Sequence, residues 1–193
     1  AYEVYSMVLL ISSFSLPLAV SKLVSARMAA GQPKAAYKIF KCTLTFALVS
    51  GGIGALLIFF GAGFFSDVLV NTPESKLALQ VLAPTILVVA VMGCMRGYFQ
   101  GLGTMVPTAV SQIVEQIINA AVSIGAAYVL FHYGLKIDAV LGTKTAAYAY
   151  GAAGSTLGTG LGALSGLLFL AFLVAAYRHV MRRKMAVSRE ERR

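Results

Sequence analysis

The chain has 193 residues, 59% of them hydrophobic and only 12% charged, with a mean hydropathy of +0.81. Ordinary soluble domains hold about 45–50% apolar and about 25% charged residues, so this composition marks an integral membrane protein with no room beside its spans for a soluble catalytic domain. The net charge of +9 comes in short basic blocks between apolar runs and not in an aromatic-interleaved basic domain, which points to anionic lipid headgroups rather than nucleic acid.

Five apolar segments predict an all-α, polytopic transmembrane bundle over residues 1–177. The first, Tyr5–Ala30, carries Pro17, which removes one backbone hydrogen bond and kinks a helix. Arg27, at its inner end, reads as a snorkelling side chain that reaches the headgroups. Lys22 lies about 7 or 8 Å deeper by helical rise, between Ser21 and Ser25. It either snorkels too or faces a cavity, where a cation suits a phosphate or pyrophosphate group. The opening Ala1-Tyr2-Glu3 has no basic stretch before an apolar core, so it does not read as a signal peptide. We expect the chain to begin partway through a larger protein.

Gly31-Gln32-Pro33 separates the first segment from the second, Cys42–Phe65, whose Gly51, Gly52, Gly54, Gly61 and Gly63 favour close contact or bending at irregular spacing. Asn71-Thr72-Pro73 then precedes the third, Leu77–Tyr98, which contains Pro84 and brings Arg96 and Gln100 to its inner end. Gly101-Leu102-Gly103-Thr104 predicts a tight turn before Pro107, a residue suited to the first turn of a helix. The fourth segment, Pro107–Tyr133, is apolar except for Gln112, Glu115, Gln116 and Asn119. Their spacing of i, i+3, i+4 and i+7 places all four on one helical face. A polar stripe at bilayer depth is tolerated only against other helices or water, so Glu115 reads as a proton or cation site, or as the lining of a hydrophilic path. Arg96 and Glu115 lie at different depths, Glu115 about 15 Å beyond the turn, which leaves their pairing open.

Residues Asp138 to Thr145 form the last connection, before a fifth segment at Tyr148–Tyr177. There Gly154, Gly158, Gly162 and Gly166 recur every four residues, a small face that reads as helix packing rather than ligand binding. Residues 178–193 form a basic tail with Arg178, Arg182, Arg183, Lys184, Arg189, Arg192 and Arg193. Arg27, Lys34, Lys38 and Lys41 crowd the first connection, whereas the second holds Asp67, Glu74 and Lys76 and the fourth holds Lys136, Asp138 and Lys144. Basic residues are retained inside, so the first connection and the tail are expected in the cytoplasm and the amino terminus outside. Such a start calls for an upstream helix or a reverse anchor.

Enzymatic chemistry has no support in the residues. His132 and His179 are far apart, Cys42 and Cys94 form no metal or redox motif, and the glycine-rich stretches lack a phosphate-loop context. No metal or cofactor is implied beyond a possible coupling cation, H+ or Na+.

Met95-Arg96-Gly97-Tyr98-Phe99-Gln100-Gly101, followed by Met105-Val106-Pro107-Thr108-Ala109-Val110-Ser111-Gln112-Ile113-Val114-Glu115-Gln116, closely resembles the signature of the stage V sporulation protein B-like polysaccharide transporters. Pro17-Leu18-Ala19-Val20-Ser21-Lys22-Leu23-Val24 and Gly151-Ala152-Ala153-Gly154 are similar to the same family's second and sixth helices. The family belongs to the multidrug/oligosaccharidyl-lipid/polysaccharide exporter superfamily, which includes lipid II flippases. The resemblance implies two helical lobes around a central cavity, about fourteen spans in all, and alternating access. This chain then looks like helices two to six of the amino-terminal lobe. The missing first helix and second lobe, or another chain, would be its partners, and its tail would lead toward the linker between lobes.

By the same resemblance the substrate is a lipid-linked, anionic sugar intermediate moved to the outer leaflet of a bacterial plasma membrane. Lys22 and Arg96 would attract its phosphate groups, Gln100, Gln112, Gln116 and Asn119 would line the polar passage, and Glu115 would couple to an ion. Asn119 departs from the basic residue that relatives often carry there. Two other readings remain open: a cation-coupled drug or metabolite antiporter of the same superfamily, and a non-transporting membrane scaffold for cell-envelope synthesis.

Overall fold

The computed structural model describes residues 17–64, 75–142 and 145–190, which form five helices and no strand. α1 covers 17–29, α2 Pro33–Phe64, α3 Ser75–Gly101, α4 Val106–Leu141 and α5 Ala146–Glu190. The part of the first predicted span before residue 17, the Asn71-Thr72-Pro73 break with Asp67 and Glu74, and Lys144, Arg192 and Arg193 lie outside the described residues. The architecture is all-α, and α2 to α5 are each long and apolar enough to cross a membrane.

The helices extend past the apolar segments that reveal them. α2 begins at Pro33 rather than Cys42, α4 continues beyond Tyr133 to Leu141, and α5 runs through the basic segment as far as Glu190. Hydropathy marks the hydrocarbon-embedded part alone, whereas backbone hydrogen bonding carries a helix on into the headgroup region. Lys34, Lys38 and Lys41 accordingly stand exposed on the first turns of α2. The connection expected from Asp138 is also shorter, because Asp138 lies within α4. That helix ends at Gly142, whose φ of 66° puts it in the left-handed region that glycine adopts most readily.

α3 is the central helix. Leu79, Leu82, Ala90, Met92, Cys94 and Tyr98 are buried around its circumference, as expected of a helix that is apolar on every side. Lipid offers no hydrophobic drive between helices, so close backbone approach through small residues supplies the packing. Against α1, a Cβ on Gly97 would fall 2.5 Å from the Pro17 carbonyl oxygen, and one on Gly101 would fall 2.7 Å from Val24 Cβ. Against α2, Gly51 would place a Cβ 3.0 Å from Ala90 Cβ.

α5 uses its glycine face on α4. A Cβ on Gly154 would lie 2.6 Å from the Ala126 carbonyl oxygen and one on Gly162 2.8 Å from that of Glu115, while at Gly158 it would collide with Ser123. Gly166 and Gly160 also face α3, at Met92 and Thr85. α5 therefore packs along both helices of the central hairpin, and α4 meets α3 directly only to a small extent. The outward faces of α2 and α4 expose Leu57, Phe60, Ile113, Ile117, Ile124 and Val129, a surface suited to acyl chains.

Both ends carry aromatic side chains. At one end Phe40 stacks on Tyr98 with ring centroids 4.4 Å apart, and Phe99 meets Tyr177. At the other, Tyr128 contacts His132, Phe131 contacts Tyr148 and Tyr133 contacts Tyr150. Asp138, mostly buried, accepts the backbone N–H groups of Ala146 at 3.0 Å and Ala147 at 2.9 Å, and so caps the start of α5 from the end of α4. This joins the two helices where Gly134 lets them touch.

Two stability outcomes follow from this packing. Gly158→Val is expected to destabilise the bundle by about 1–3 kcal/mol through overpacking, whereas Gly52→Ala, where an added Cβ meets nothing within 4 Å, leaves stability unchanged. Thermal unfolding in detergent, followed by dye labelling of buried Cys94 with exposed Cys42 replaced by Ser, distinguishes them; equal melting temperatures would refute the glycine contact. In the same assay Asp138→Ala loses about 0.5–2 kcal/mol, the range for removing a helix cap.

Candidate functional site

Arg96, on the last turns of α3, lies five residues before Gly101, while Glu115 lies nine residues after Val106 at the start of α4. At 1.5 Å per residue their axial positions differ by about 6 Å, a gap that an extended arginine side chain can cross. The structure closes the pair. Arg96 Nη2 donates to Glu115 Oε2 at 2.7 Å, and Arg96 Nε donates to Ser111 Oγ at 3.1 Å. Ser111, fully buried, donates its own hydroxyl hydrogen bond to the Thr108 carbonyl at 2.7 Å. Among the described residues these two bonds from Arg96 are the only side-chain hydrogen bonds joining α3 to α4.

One guanidinium thus serves two acceptors one helical turn apart, Ser111 and Glu115. The planar fork of arginine suits this; the single ammonium of lysine does not. The side chains of Arg96 and Glu115 are 13% and 18% exposed, so the pair is largely withdrawn from solvent without being sealed. Glu115 is seated by α5 as well, its backbone against Gly162 and its Cβ against Gly166.

On the side away from α5, a cleft of about 290 Å³ opens between α1, α3 and the first turns of α4. Arg96, Gln100, Thr108 and Gln112 supply its polar lining, and Pro17, Leu18 and Met92 are among its apolar walls. Arg96 Nη1 and the amides of Gln100 and Gln112 make no hydrogen bond among the described residues. Thr108 is only 8% exposed, yet its Oγ1 also has no partner there. α4 starts at this cleft with Met105 in the capping position and no side-chain cap, so the positive end of the helix dipole is left uncompensated by the protein.

The structure brings together some residues of the sequence reading and separates others. Arg96, Gln100 and Gln112 share the cleft, and Glu115 joins them through Arg96. Lys22 stands exposed on α1 one turn beyond Leu18 and does not line the cleft. Gln116 is exposed on α4. Asn119 packs on Gly162, its Oδ1 accepting Ser123 Oγ at 2.9 Å, while the same hydroxyl also reaches the Ser155 carbonyl. The polar stripe thus divides between the cleft, the α5 contact and the outer surface. Sequence reasoning missed Ser111 and Thr108, although both precede Glu115 at helical spacing. It also missed the contact face Gly93, Gly97 and Gly101, whose four-residue interval was visible.

The model of the polysaccharide biosynthesis protein family matches residues 1–189. The chain belongs to that family. Its curated relatives in Bacillus subtilis (strain 168) include the lipid II flippase MurJ, 31% identical over 79% of this chain and 30% of the relative. Stage V sporulation protein B is 29% identical over 83% of this chain and 28% of its own length, and the uncharacterized membrane protein YabM is 28% identical over 89% and 29%. The chain spans less than a third of the length of these relatives. No solved structure matches it significantly. It is a multi-pass plasma membrane protein.

The ion pair generates a measurable coupling. In a double-mutant cycle of Arg96→Gln and Glu115→Gln, unfolding in detergent is expected to give an interaction energy of about 1.5–3 kcal/mol, the range for hydrogen bonds to charged groups. Arg96→Lys should recover less than half of it, since one ammonium cannot hold both Ser111 and Glu115. A coupling near zero would show that the contact carries no stability.

Proposed function

We propose that this chain is part of a transporter that flips lipid-linked oligosaccharide or peptidoglycan precursors, of the lipid II kind, across the bacterial plasma membrane by alternating access. The observation that carries this reading is the cleft itself: Arg96, Gln100 and Gln112 present unpaired donors beside the start of α4, within helices otherwise built for hydrocarbon. Donors gathered beside apolar walls at the inner end of the hairpin suit a polar ligand. A ligand with an anionic, hydrogen-bonding head and an apolar tail fits both environments, the head in the cleft and the tail along the exposed apolar faces. The likeness to a protein named as a lipid II flippase supports the same class.

In this reading the end with the Gly31 and Gly103 turns and Tyr177 is cytoplasmic, as the basic residues of the first connection and the tail favour. The amino terminus is then outside and the carboxyl terminus inside. Alternating access needs a second helical body to move against, supplied by further chain or by a partner. The relatives are long enough to contain one. Lys22, exposed on α1, would attract the head before it reaches Arg96. Gln116 and Asn119 would continue the polar passage, and Glu115 would couple transport to H+ or Na+. A drug or metabolite antiporter would use the same Glu115 as its main coupling group.

Reconstitution of the full-length protein with a fluorescent lipid-linked sugar pyrophosphate tests the choice. Arg96→Ala is expected to lower flipping at least tenfold, about 1.4 kcal/mol or more of lost interaction, with Gly52→Ala unchanged and Glu115→Gln less affected than Arg96→Ala. The antiporter reading requires the opposite order, with Glu115→Gln abolishing transport. Normal flipping in Arg96→Ala would reject the cleft as the headgroup site.

A further inference from the structure

The cleft and the ion pair share one side chain. Arg96 spends Nε and Nη2 on Ser111 and Glu115, leaving Nη1 without a partner, and it lines a cleft together with Gln100 and Gln112, whose amides are free, and with Thr108, whose hydroxyl is buried at the cleft wall without a partner. A buried hydroxyl rarely goes without a partner, since its desolvation is then uncompensated. Here four polar residues from two helices line one space, and the uncapped end of α4 adds a positive field to it. About 290 Å³ equals roughly ten water volumes, enough for a phosphoryl group with its hydration and too little for a sugar chain.

Among the described residues Glu115 is the acidic group that pairs with Arg96. Gly162 and Gly166 of α5 lie against it, and on its own helix Ser111 shares its arginine. The carboxylate occupies the guanidinium as an incoming oxyanion would, in a charge-assisted hydrogen bond at 2.7 Å.

Resting on the flippase reading, we propose that the cleft is an oxyanion site held in its empty state by an internal substitute: the Glu115 carboxylate occupies Arg96 until a phosphoryl-bearing ligand, bound also by Thr108 Oγ1, Gln100 and Gln112, takes the guanidinium from it. Glu115 then acts on affinity by competition. It lowers binding of any anion by the strength of its own bond to Arg96 and gives the site a threshold against weak or abundant anions. Thr108 is a ligand of the anion. Its hydroxyl donates to an oxygen that Glu115 does not supply, so it discriminates the external ligand from the internal one.

Binding of sulfate, an oxyanion free of any lipid, and of dihexanoyl phosphatidylglycerol, a soluble lipid phosphodiester, to the full-length protein in detergent tests this by calorimetry. Glu115→Gln is expected to tighten both about 10- to 100-fold, the loss of one charged competitor. Thr108→Val weakens both about 2- to 10-fold while Thr108→Ser is neutral, and Arg96→Gln abolishes binding. If the phosphodiester alone follows this pattern, the site still exchanges Glu115 for an anion, and the ligand is a lipid headgroup rather than a free oxyanion. Equal or weaker binding in Glu115→Gln, with its melting temperature showing it folded, overturns the proposal, as does unchanged affinity in Thr108→Val. Either result alongside normal flipping of the lipid-linked sugar leaves the transport reading intact; loss of the transport order described above with tightened anion binding removes that reading and keeps the site.

Discussion

Inside hydrocarbon no water is available to satisfy a polar atom, and this constraint organises the molecule more than any apolar contact. Along the middle of each described helix the backbone N–H and C=O groups are answered within that helix. Hydroxyl groups follow the same rule by turning back on their own helix: Thr43 on the Ile39 carbonyl, Thr45 on Lys41, Ser155 on Ala152, Thr156 on Ala153 and Ser165 on Gly162. These side chains contribute size without presenting polarity to lipid. Against that background Arg96, Glu115, Gln100, Gln112 and Thr108 are different in kind. Arg96 and Glu115 reach away from their own helices and tie α3 to α4, while Gln100, Gln112 and the Thr108 hydroxyl do not turn back onto theirs in a hydrogen bond.

The small residues explain why that group sits in a cleft rather than in a packed core. α5 enters between α3 and α4 because Gly154, Gly158 and Gly162 let its backbone lie directly on α4, while Gly160 and Gly166 face Thr85 and Met92. A helix wedged in from one side keeps the hairpin helices apart, and the gap on the other side remains open toward α1. α1 is held against the same helix by Gly93, Gly97 and Gly101, which brings Pro17 and Leu18 to the wall of the cleft. Larger side chains on any of these faces would tilt a helix and alter the one place where donors converge.

Much of this was legible in the residues. Membrane class, the all-α architecture and the central hairpin followed from hydropathy and the Gly101-to-Pro107 turn, because both are properties of a single segment. Helix ends were misplaced where hydropathy falls but backbone hydrogen bonding continues, as at Pro33, Leu141 and Glu190. The polar stripe was read as one face of α4, and its division among the cleft, α5 and the outer surface depends on the packing angle of a helix more than thirty residues away, which no local pattern encodes. The Arg96–Glu115 contact stayed open for a similar reason. Helical rise gives axial depth alone, and side-chain reach resolves the difference. Thr108 shares the helical spacing of Glu115, but its lack of a partner was not legible, since an orphan hydroxyl exists only once its surroundings do.

The partial burial of the ion pair bears directly on what it can do. A fully exposed pair contributes about 0–1 kcal/mol and would hold Arg96 too weakly to matter. A sealed pair costs about 3–5 kcal/mol to break when one partner is lost, too much for an incoming ligand to displace at ordinary affinity. With Arg96 and Glu115 at 13% and 18% exposure and a cleft opening onto the guanidinium, the bond is strong enough to order α3 against α4 and accessible enough to be exchanged. The carboxylate released in such an exchange is not stranded in apolar surroundings, because Glu115 keeps a share of its surface open. The same geometry explains the choice of arginine over lysine: Nε can stay on Ser111 while Nη2 changes partner and Nη1 gains one, so the guanidinium pivots about a fixed bond instead of leaving its place.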